Sequence, residues 1–276
     1  MLRLSTRYLD EHGSQSARLD AELLIAHALG VRRLDVYLQF DRPLDADQLV
    51  RIRELVRRRA GGEPIAYITG EREFFSRTFA VTRDVLIPRP ETETLVEAVL
   101  DRVRSRPQLR IADLGTGSGC IAISLAAELP QASVLATDID DGALRVARSN
   151  ALNHGVLDRV ELSAGDWAGA IDGCVDVVVS NPPYVIPEEL AAADRDVRDF
   201  EPGLALLGGD DGLDAYRALL QSLPAHVRAG TLVAMEVDPR RCGAVAGLVE
   251  SLLGATPEVV SDLAGRPRVV LAELGT

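Results

Sequence analysis

Not one of the 276 residues is lysine; all 30 basic residues are arginine. That absence excludes lysine-based catalysis and the lysine-bearing phosphate loop of nucleotide triphosphatases. Cysteine is nearly as scarce. Cys120, Cys174 and Cys242 are an odd number with no CxxC pair, so neither a disulfide framework nor a zinc site is signalled, and no metal is expected. Positive charge is in short supply, with a net charge of −12 and a pI near 4.9, which argues against a broad electrostatic grip on nucleic acid. No apolar run approaches the roughly 18–20 residues of a membrane span, and MLRLSTRYLDEHG is broken by charge before a signal-peptide core can form. A cytoplasmic location is expected.

What is present is the composition of a folded protein, 47% hydrophobic and 26% charged. The length suits a core domain plus a smaller attachment. Residues 1–62 read as a small helical domain. LDAELLIAHALG (19–30) and DADQLVRIRELVRRRAGG (45–62) carry apolar positions at helical spacing, with Asp45 or Asp47 near one start and glycines beyond both ends. Arg51, Arg53, Arg57, Arg58 and Arg59 are expected to form a solvated face near a helix C-terminus, where cations are favoured; contact with RNA or a partner is the alternative. From residue 63 to residue 87 the pattern shortens, and FFSRTFAVT and DVLI predict a β-hairpin linker. PRPETETLVEAVLDRV (88–103) then predicts a helix with Pro90 in its first turn and Glu91 and Glu93 at the positive end of its dipole.

After Leu109 strands and helices alternate. RIADLG, SVLATDI, RVELSAG, VDVVVS, TLVAMEV and RVVLAEL read as strands separated by segments of helical period. The expectation for residues 88–276 is an α/β fold, a doubly wound and mostly parallel sheet with helices on both faces. Ligands of such a sheet sit at the carboxyl ends of its strands, near the switch in strand order.

DLGTGSG (113–119) falls between the first of these strands and its helix, so Gly115, Gly117 and Gly119 stand where the chain turns tightly against a ligand. Cys120 occupies the place of the last glycine of GxGxxG. Asp138 ends the second strand, where a carboxylate accepts hydrogen bonds from both hydroxyls of a ribose. That placement suits a nicotinamide dinucleotide or S-adenosylmethionine. Asp166 and Trp167 follow the third strand and offer a carboxylate to an exocyclic amine and a flat surface to an adenine. A pyrophosphate wants positive charge here, whereas Asp113 suits the ammonium of a methionine.

SNPPYV (180–185) ends the fourth strand, placing Asn181 in the same crevice. Nothing in it titrates near neutrality. An amide nitrogen is a poor nucleophile because its lone pair is delocalised. Two acceptors, the Asn181 side-chain oxygen and the Pro182 carbonyl, can hold its two hydrogens, orient it and stabilise developing positive charge. Proline fixes the direction of those carbonyls, and Tyr184 offers a face for a flat substrate group.

These residues make the chain similar to class I S-adenosylmethionine-dependent methyltransferases. More narrowly, PIAYITGEREFF (64–75), VLIPRPETETLVE (85–97), DLGTGSG, SNPPYV and FEPGLALLGGDDGLDAYR (200–217) resemble the PrmC/HemK family, which methylates the amide nitrogen of the glutamine in the GGQ motif of peptide-chain release factors. The resemblance covers nearly the whole chain. It implies cofactor contacts at Gly115, Thr116, Gly117, Ser118 and Gly119, with Asp138 on the ribose and Trp167 near the adenine. It implies that Asn181, Pro182, Pro183 and Tyr184 hold the glutamine, with Arg89 and Glu91 at the site edge. It further implies S-adenosyl-L-homocysteine as product and a helical domain that docks the release factor. Asp238, in AMEVDP, replaces a glycine usual in the family and puts a tight turn there in question. A DNA adenine methyltransferase shares NPPY, but the acidic balance and the stretch after Asn181, read as completing the sheet, leave no place for sequence-specific DNA contacts. A nicotinamide-dependent oxidoreductase lacks its constellation, since His12 and His27 lie in the helical domain and His154 and His226 on presumed helix ends away from the crevice. The enzyme is expected to be a monomer.

Overall fold

The structure is a computed structural model and describes residues 1–275. Five helices come first: α1 (Leu2–Glu11), α2 (Ala17–Leu29), α3 (Asp35–Leu38), α4 (Ala46–Ala60) and α5 (Ile65–Thr69). Strands β1 (Glu71–Phe74) and β2 (Arg77–Ala80) follow, then a 3-10 turn at Pro90–Thr92 that runs into α6 (Glu93–Val103). The remainder is β3 (Arg110–Leu114), α7 (Cys120–Glu128), β4 (Ser133–Asp138), α8 (Asp141–Asn153), β5 (Val160–Ala164), β6 (Val177–Ser180), α9 (Pro187–Ala192), α10 (Arg195–Phe200), α11 (Asp214–Ser222), β7 (Leu232–Glu236), α12 (Cys242–Leu253), β8 (Glu258–Ser261) and β9 (Pro267–Glu273). The chain divides into two compact units, one of Met1–Glu71 with Asp194–Phe200, the other of Arg72–Ala193 with the chain from Glu201 onward.

In the first unit, α2 stops at Gly30, whose φ of 63° is left-handed. α4 starts in a capping box: the Asp45 carboxylate accepts from the Gln48 N–H at 2.8 Å, and the Gln48 side chain accepts from the Asp45 N–H at 3.2 Å. Leu9, Leu24, Ile25, Ile52 and Val56 fill the space between α1, α2 and α4. The arginines of α4 divide between two roles. Arg53 and Arg57 are exposed. Arg58 makes a two-pronged ion pair with Glu63 at 2.7 and 2.9 Å, and Arg59 donates at 2.7 Å to Asp20, a carboxylate only 3% exposed that also accepts from the hydroxyls of Ser14 and Ser16. A cation has to stand there, because an unpaired buried carboxylate is costly.

The second unit carries a seven-stranded sheet in the order β5-β4-β3-β6-β7-β9-β8. The first five strands are parallel, and β9 and then β8 are antiparallel additions. Alternation along the strands feeds two cores. Ile111, Val177, Val179 and Ala234 face α6 and α7 through Leu95, Val99, Ile121 and Leu125, while Ala112, Val178, Val233 and Met235 face α11 and α12 through Tyr216, Leu219, Val245 and Val249. With both faces covered, the central strands are apolar throughout, as their sequences require.

Three local expectations differ from what is found. Ile65–Thr69 is a helix, begun at Pro64 and closed at Gly70 with φ 79°, so residues 63–87 are not a hairpin throughout. The hairpin is confined to β1 and β2, with Phe75 and Ser76 in left-handed conformation at its turn and Phe74 and Phe79 packed edge to face with ring centroids 6.0 Å apart. DVLI (84–87) forms no strand: it has no neighbouring strand to pair with, and the Ile87 N–H donates instead to the Glu201 carboxylate at 3.3 Å. In addition, PEVVSD supplies an edge strand, β8, beyond the six expected.

Replacing Arg59 with Met keeps the stem's volume and leaves Asp20 without its cation. Amides of α2 and α4 should then exchange about 100-fold faster, corresponding to a loss of about 3 kcal/mol. Hydrogen exchange followed by mass spectrometry reads this directly, and unchanged protection would show that the two serines suffice.

Candidate active site

β3 and β6 are neighbours in one register, Ile111 opposite Val177, Ala112 opposite Val178 and Asp113 opposite Val179. The Ser180 hydroxyl donates to the Leu114 carbonyl at 2.6 Å. The chain after Leu114 and the chain after Ser180 therefore leave the sheet side by side, on the two arms that depart from β3 in opposite directions. This is the switch point.

The loop after β3 turns through Gly115, Gly117 and Gly119, with φ of 76°, 55° and 81°. The N–H groups of Gly115 and Thr116 both donate to the Thr137 carbonyl, at 2.9 and 2.8 Å, so the loop is tied to β4. Asp138, at the end of β4, accepts from the Gly117 N–H at 2.8 Å with one oxygen and from the Asp140 N–H at 3.0 Å with the other. A carboxylate offers about four acceptor sites, so roughly two stay available. Burial raises its pKa, opposed by these backbone donors. Asn150 on α8 adds a tie that the sequence did not signal. Its amide donates to the Ser118 carbonyl at 2.8 Å and pairs with both backbone groups of Ala80, fastening the glycine loop to the hairpin.

A cavity of about 410 Å³ opens over these strand ends. Gly115, Thr116, Gly117, Ser118, Asp138, Asp166, Trp167, Asn181, Pro183 and Arg89, all named from the sequence, line it. Asp84, Asp140 and Asp214 also line it, so the lining holds five aspartates and a single cationic residue, Arg89. Of the five, Asp140 caps α8 through the Gly142 and Ala143 N–H groups and Asp214 pairs with Arg217 at 2.9 Å. Arg89 is held at 2.5 Å by Glu201, whose carboxylate is buried. Trp167 stands at φ 47°, an uncommon conformation for a bulky residue, at the start of a 3-10 turn that follows β5. Asp166, just before it, is exposed and makes no side-chain cap to that turn.

Five other expected site residues take different places. Gly119 is not among the lining residues; it closes the turn beneath the loop, where an added Cβ would stand 2.9 Å from Ile123. Asp113 does not line the cavity, because strand alternation turns it toward α7. There it is fully buried and accepts from the Thr116 hydroxyl at 2.6 Å and the Ala122 N–H at 3.1 Å, its second oxygen having no partner. Burial pushes its pKa up to about 7. It braces the glycine loop and is not positioned for a ligand's ammonium. The Pro182 ring is buried, and the Tyr184 ring is half-buried against the α11–α12 core, where burial, Glu236 and Asp238 push its phenol up. Neither lines the cavity; the Pro183 ring does. Glu91 turns away and lies 3.9 Å from Arg266.

The stretch 204–214 explains its own glycines. Val185 donates to the Leu206 carbonyl at 2.8 Å, and Gly208 donates back to the Val185 carbonyl at 3.0 Å, so this segment lies along the SNPPYV loop as a single parallel bridge. A Cβ on Gly208 would stand 2.6 Å from the Pro183 carbonyl oxygen and 2.7 Å from the Tyr184 Cα, both backbone. Further out, Arg241 reaches Glu189 at 2.9 Å and the Asp211 carbonyl at 3.2 Å, with Asp238 at 3.6 Å. Asp238 is not in left-handed conformation, so no glycine is needed there; its carboxylate binds the backbone N–H and the guanidinium of Arg240, each at 2.8 Å. No cluster of metal-ligating side chains occurs among the described residues.

Residues 1–70 match the PrmC N-terminal domain family and residues 91–198 the methyltransferase small domain family. A release factor glutamine methyltransferase of Cereibacter sphaeroides is 44% identical over 273 residues, covering 99% of this chain and 97% of its own length. A second, of Nitratidesulfovibrio vulgaris, is 42% identical over 276 residues, covering 99% and 93%. Among solved structures, a methyltransferase from Pyrococcus furiosus superposes with a TM-score of 0.55 at 18% identity, over 74% of this chain and 91% of its own. The catalytic domain of hMettl16 does so with 0.58 at 14% identity, over 86% and 95%. At such identities the two structures speak for the fold alone.

Two measurements check the assignments that rest on packing. Gly208→Ala inserts a carbon against backbone that cannot step aside, and thermal or urea unfolding should show a loss of about 1–3 kcal/mol. For Asp113, the folded pKa near 7 lies above the unfolded value of about 3.9. The native state then binds more protons than the unfolded state between about pH 4 and 7, and stability falls as pH rises through that window. Asp113→Asn keeps an acceptor for Thr116 and Ala122 and should flatten that fall; an unchanged pH profile of unfolding would place the proton elsewhere.

Proposed function

The chain belongs to the release factor glutamine methyltransferase family, and from that premise we propose that it methylates the side-chain amide nitrogen of the GGQ glutamine of a peptide-chain release factor, using S-adenosylmethionine, at the cavity between the glycine loop and Asn181. The observation that carries the choice of cosubstrate is the charge of the lining. Its one arginine is paired with Glu201, and of the five aspartates Asp214 is paired with Arg217 and Asp140 caps α8. The remaining balance is acidic, with Asp84, Asp138 and Asp166 paired with no cation among the described residues. A pyrophosphate would meet repulsion there, whereas a sulfonium and an ammonium meet attraction. Asp138 keeps acceptor sites for a ribose, Asp166 has a carboxylate free of capping duty, and Trp167 presents a ring wall. Bound in this cavity, S-adenosylmethionine supplies a methyl group on a positively charged sulfur.

The protein's own part is to make a weak nucleophile usable. Asn181 stands half-buried at the cavity wall, at the end of a fully buried strand, so its amide is held at a defined place. Its oxygen accepts one hydrogen of the substrate carboxamide, and the carbonyl of Pro182, set just behind the lining between Asn181 and Pro183, accepts the other. That fixes the plane of the amide and favours the positive charge that develops on nitrogen. The surplus proton leaves to water once nitrogen has been alkylated. Arg89 and Pro183 border the glutamine, and the half-buried Tyr184 holds the loop from behind. The first unit docks the release factor, which brings the GGQ loop to the cavity. The enzyme acts in the cytoplasm as a monomer; no helix among the described residues is long and apolar enough to cross a membrane.

Mass spectrometry of a release factor incubated with enzyme and S-adenosylmethionine should show one added methyl, located by fragmentation on the GGQ glutamine. Transfer to DNA with an unmodified release factor would overturn the reading. Asn181→Ala should lower kcat by about 100-fold or more while S-adenosylmethionine affinity, measured by calorimetry, stays within a few-fold.

A further inference from the structure

An asparagine amide has nearly the same shape either way round, so its hydrogen-bond partners decide which end faces the substrate. For the role above, the oxygen must face the cavity and the NH2 must be held behind. The group behind Asn181 is Thr92, which lies in the 3-10 turn Pro90–Thr92 and is 2% exposed. Asn181 Nδ2 donates to the Thr92 hydroxyl oxygen at 3.3 Å, and Asn181 Oδ1 makes no hydrogen bond among the described residues. Beside Thr92 lies the carboxylate of Glu236, the last residue of β7, which is 1% exposed and whose Oε2 has no partner.

A hydroxyl has one hydrogen to give. An ionised carboxylate only accepts, so the Thr92 hydrogen goes to Glu236 and its lone pair is left for the Asn181 NH2. The reverse chain, with Thr92 donating to Oδ1, would turn the NH2 of Asn181 toward the N–H groups of the substrate, donor against donor. We infer that Thr92 and Glu236 are positioning residues that hold the Asn181 amide with its oxygen toward the substrate. The inference rests on the reading of Asn181 as the acceptor for the glutamine amide. It also accounts for an otherwise costly arrangement, a buried carboxylate with one oxygen unbonded beneath the site. The groups whose charges act on Glu236 are Arg268 on β9 and Arg89 and Glu91 beside Thr92, while the Tyr216 hydroxyl donates to its backbone carbonyl at 2.9 Å. Burial pushes the carboxyl up to about 7, so an assay at pH 8.5 finds it ionised.

The test is methyl transfer to the release factor at pH 8.5 by the full chain and three variants, with S-adenosylmethionine affinity measured alongside. Thr92→Val keeps the shape and removes the hydroxyl, and should lower kcat about 10–100-fold with cosubstrate affinity within twofold of the parent. Thr92→Ser keeps the hydroxyl and should return kcat to within about threefold. Glu236→Gln can donate to Thr92 and so permits the reverse chain; it should lower kcat like Thr92→Val, and it carries the test if Thr92→Val does not fold. A kcat within threefold of the parent in either Thr92→Val or Glu236→Gln overturns the inference, as does a Thr92→Ser variant as slow as Thr92→Val. An inactive parent would instead overturn the reading of the site itself.

Discussion

The pairing of β3 with β6 is the constraint on which the site depends. The two strands come from segments more than 60 residues apart, and their register sets Leu114 beside Ser180. The glycine loop and the Asn181 loop begin one residue later on each. A slip of one residue would turn Asn181 to the opposite face of the sheet and exchange the residues feeding the two cores. Because Val177, Val178 and Val179 are all buried, such a slip exposes no polar residue, and the register needs another source. It comes from hydrogen bonds at both ends of the strand, the Ser180 hydroxyl donating to the Leu114 carbonyl at one end and the Arg110 N–H donating to the Asp176 carboxylate, at 2.9 Å, at the other.

Charge is arranged in two layers around that junction. The cavity wall holds aspartates, among them Asp138 and Asp166. Beneath it lie Asp113 and Glu236, each with one oxygen unpartnered and each displaced to about 7 by burial. Neither faces the ligand. Asp113 holds the glycine loop through Thr116 and Ala122, and Glu236 holds the amide loop through Thr92. Both spend folding stability to fix polar groups that would otherwise be free to rotate. Local destabilisation of this kind is a common property of sites that must be organised before a substrate arrives.

Much of this was legible in one dimension. Six strands were readable from apolar runs and alternation, the glycine loop from its position between a strand and a helix, and Asp138, Trp167 and Asn181 from their places just beyond strand ends. Those signals are local, since strand period and turn chemistry are properties of a few neighbouring residues. The misreadings share another origin. DVLI has strand composition but no partner, and Ile65–Thr69 has a short apolar pattern that fits helix and strand alike. Asp113 has the residue type of a ligand and the phase of a brace. The Tyr184 ring packs inward, against the core of α11 and α12.

The sequence by itself determined that a parallel sheet would form, that its ligand loops would be glycine-rich and acidic, and that a proline-stiffened asparagine would follow the fourth strand of the second unit. Tertiary structure alone decided which acids face the cavity and which lie beneath it, and that Thr92 and Glu236 stand behind Asn181. It also set Gly208 against the backbone of Pro183 and brought Asp194–Phe200 into the first unit. The physical reason is that periodicity specifies a residue's phase within its own element, whereas the hydrogen bond between residues 92 and 181, with residue 236 beside it, exists only after the sheet has brought three distant segments together.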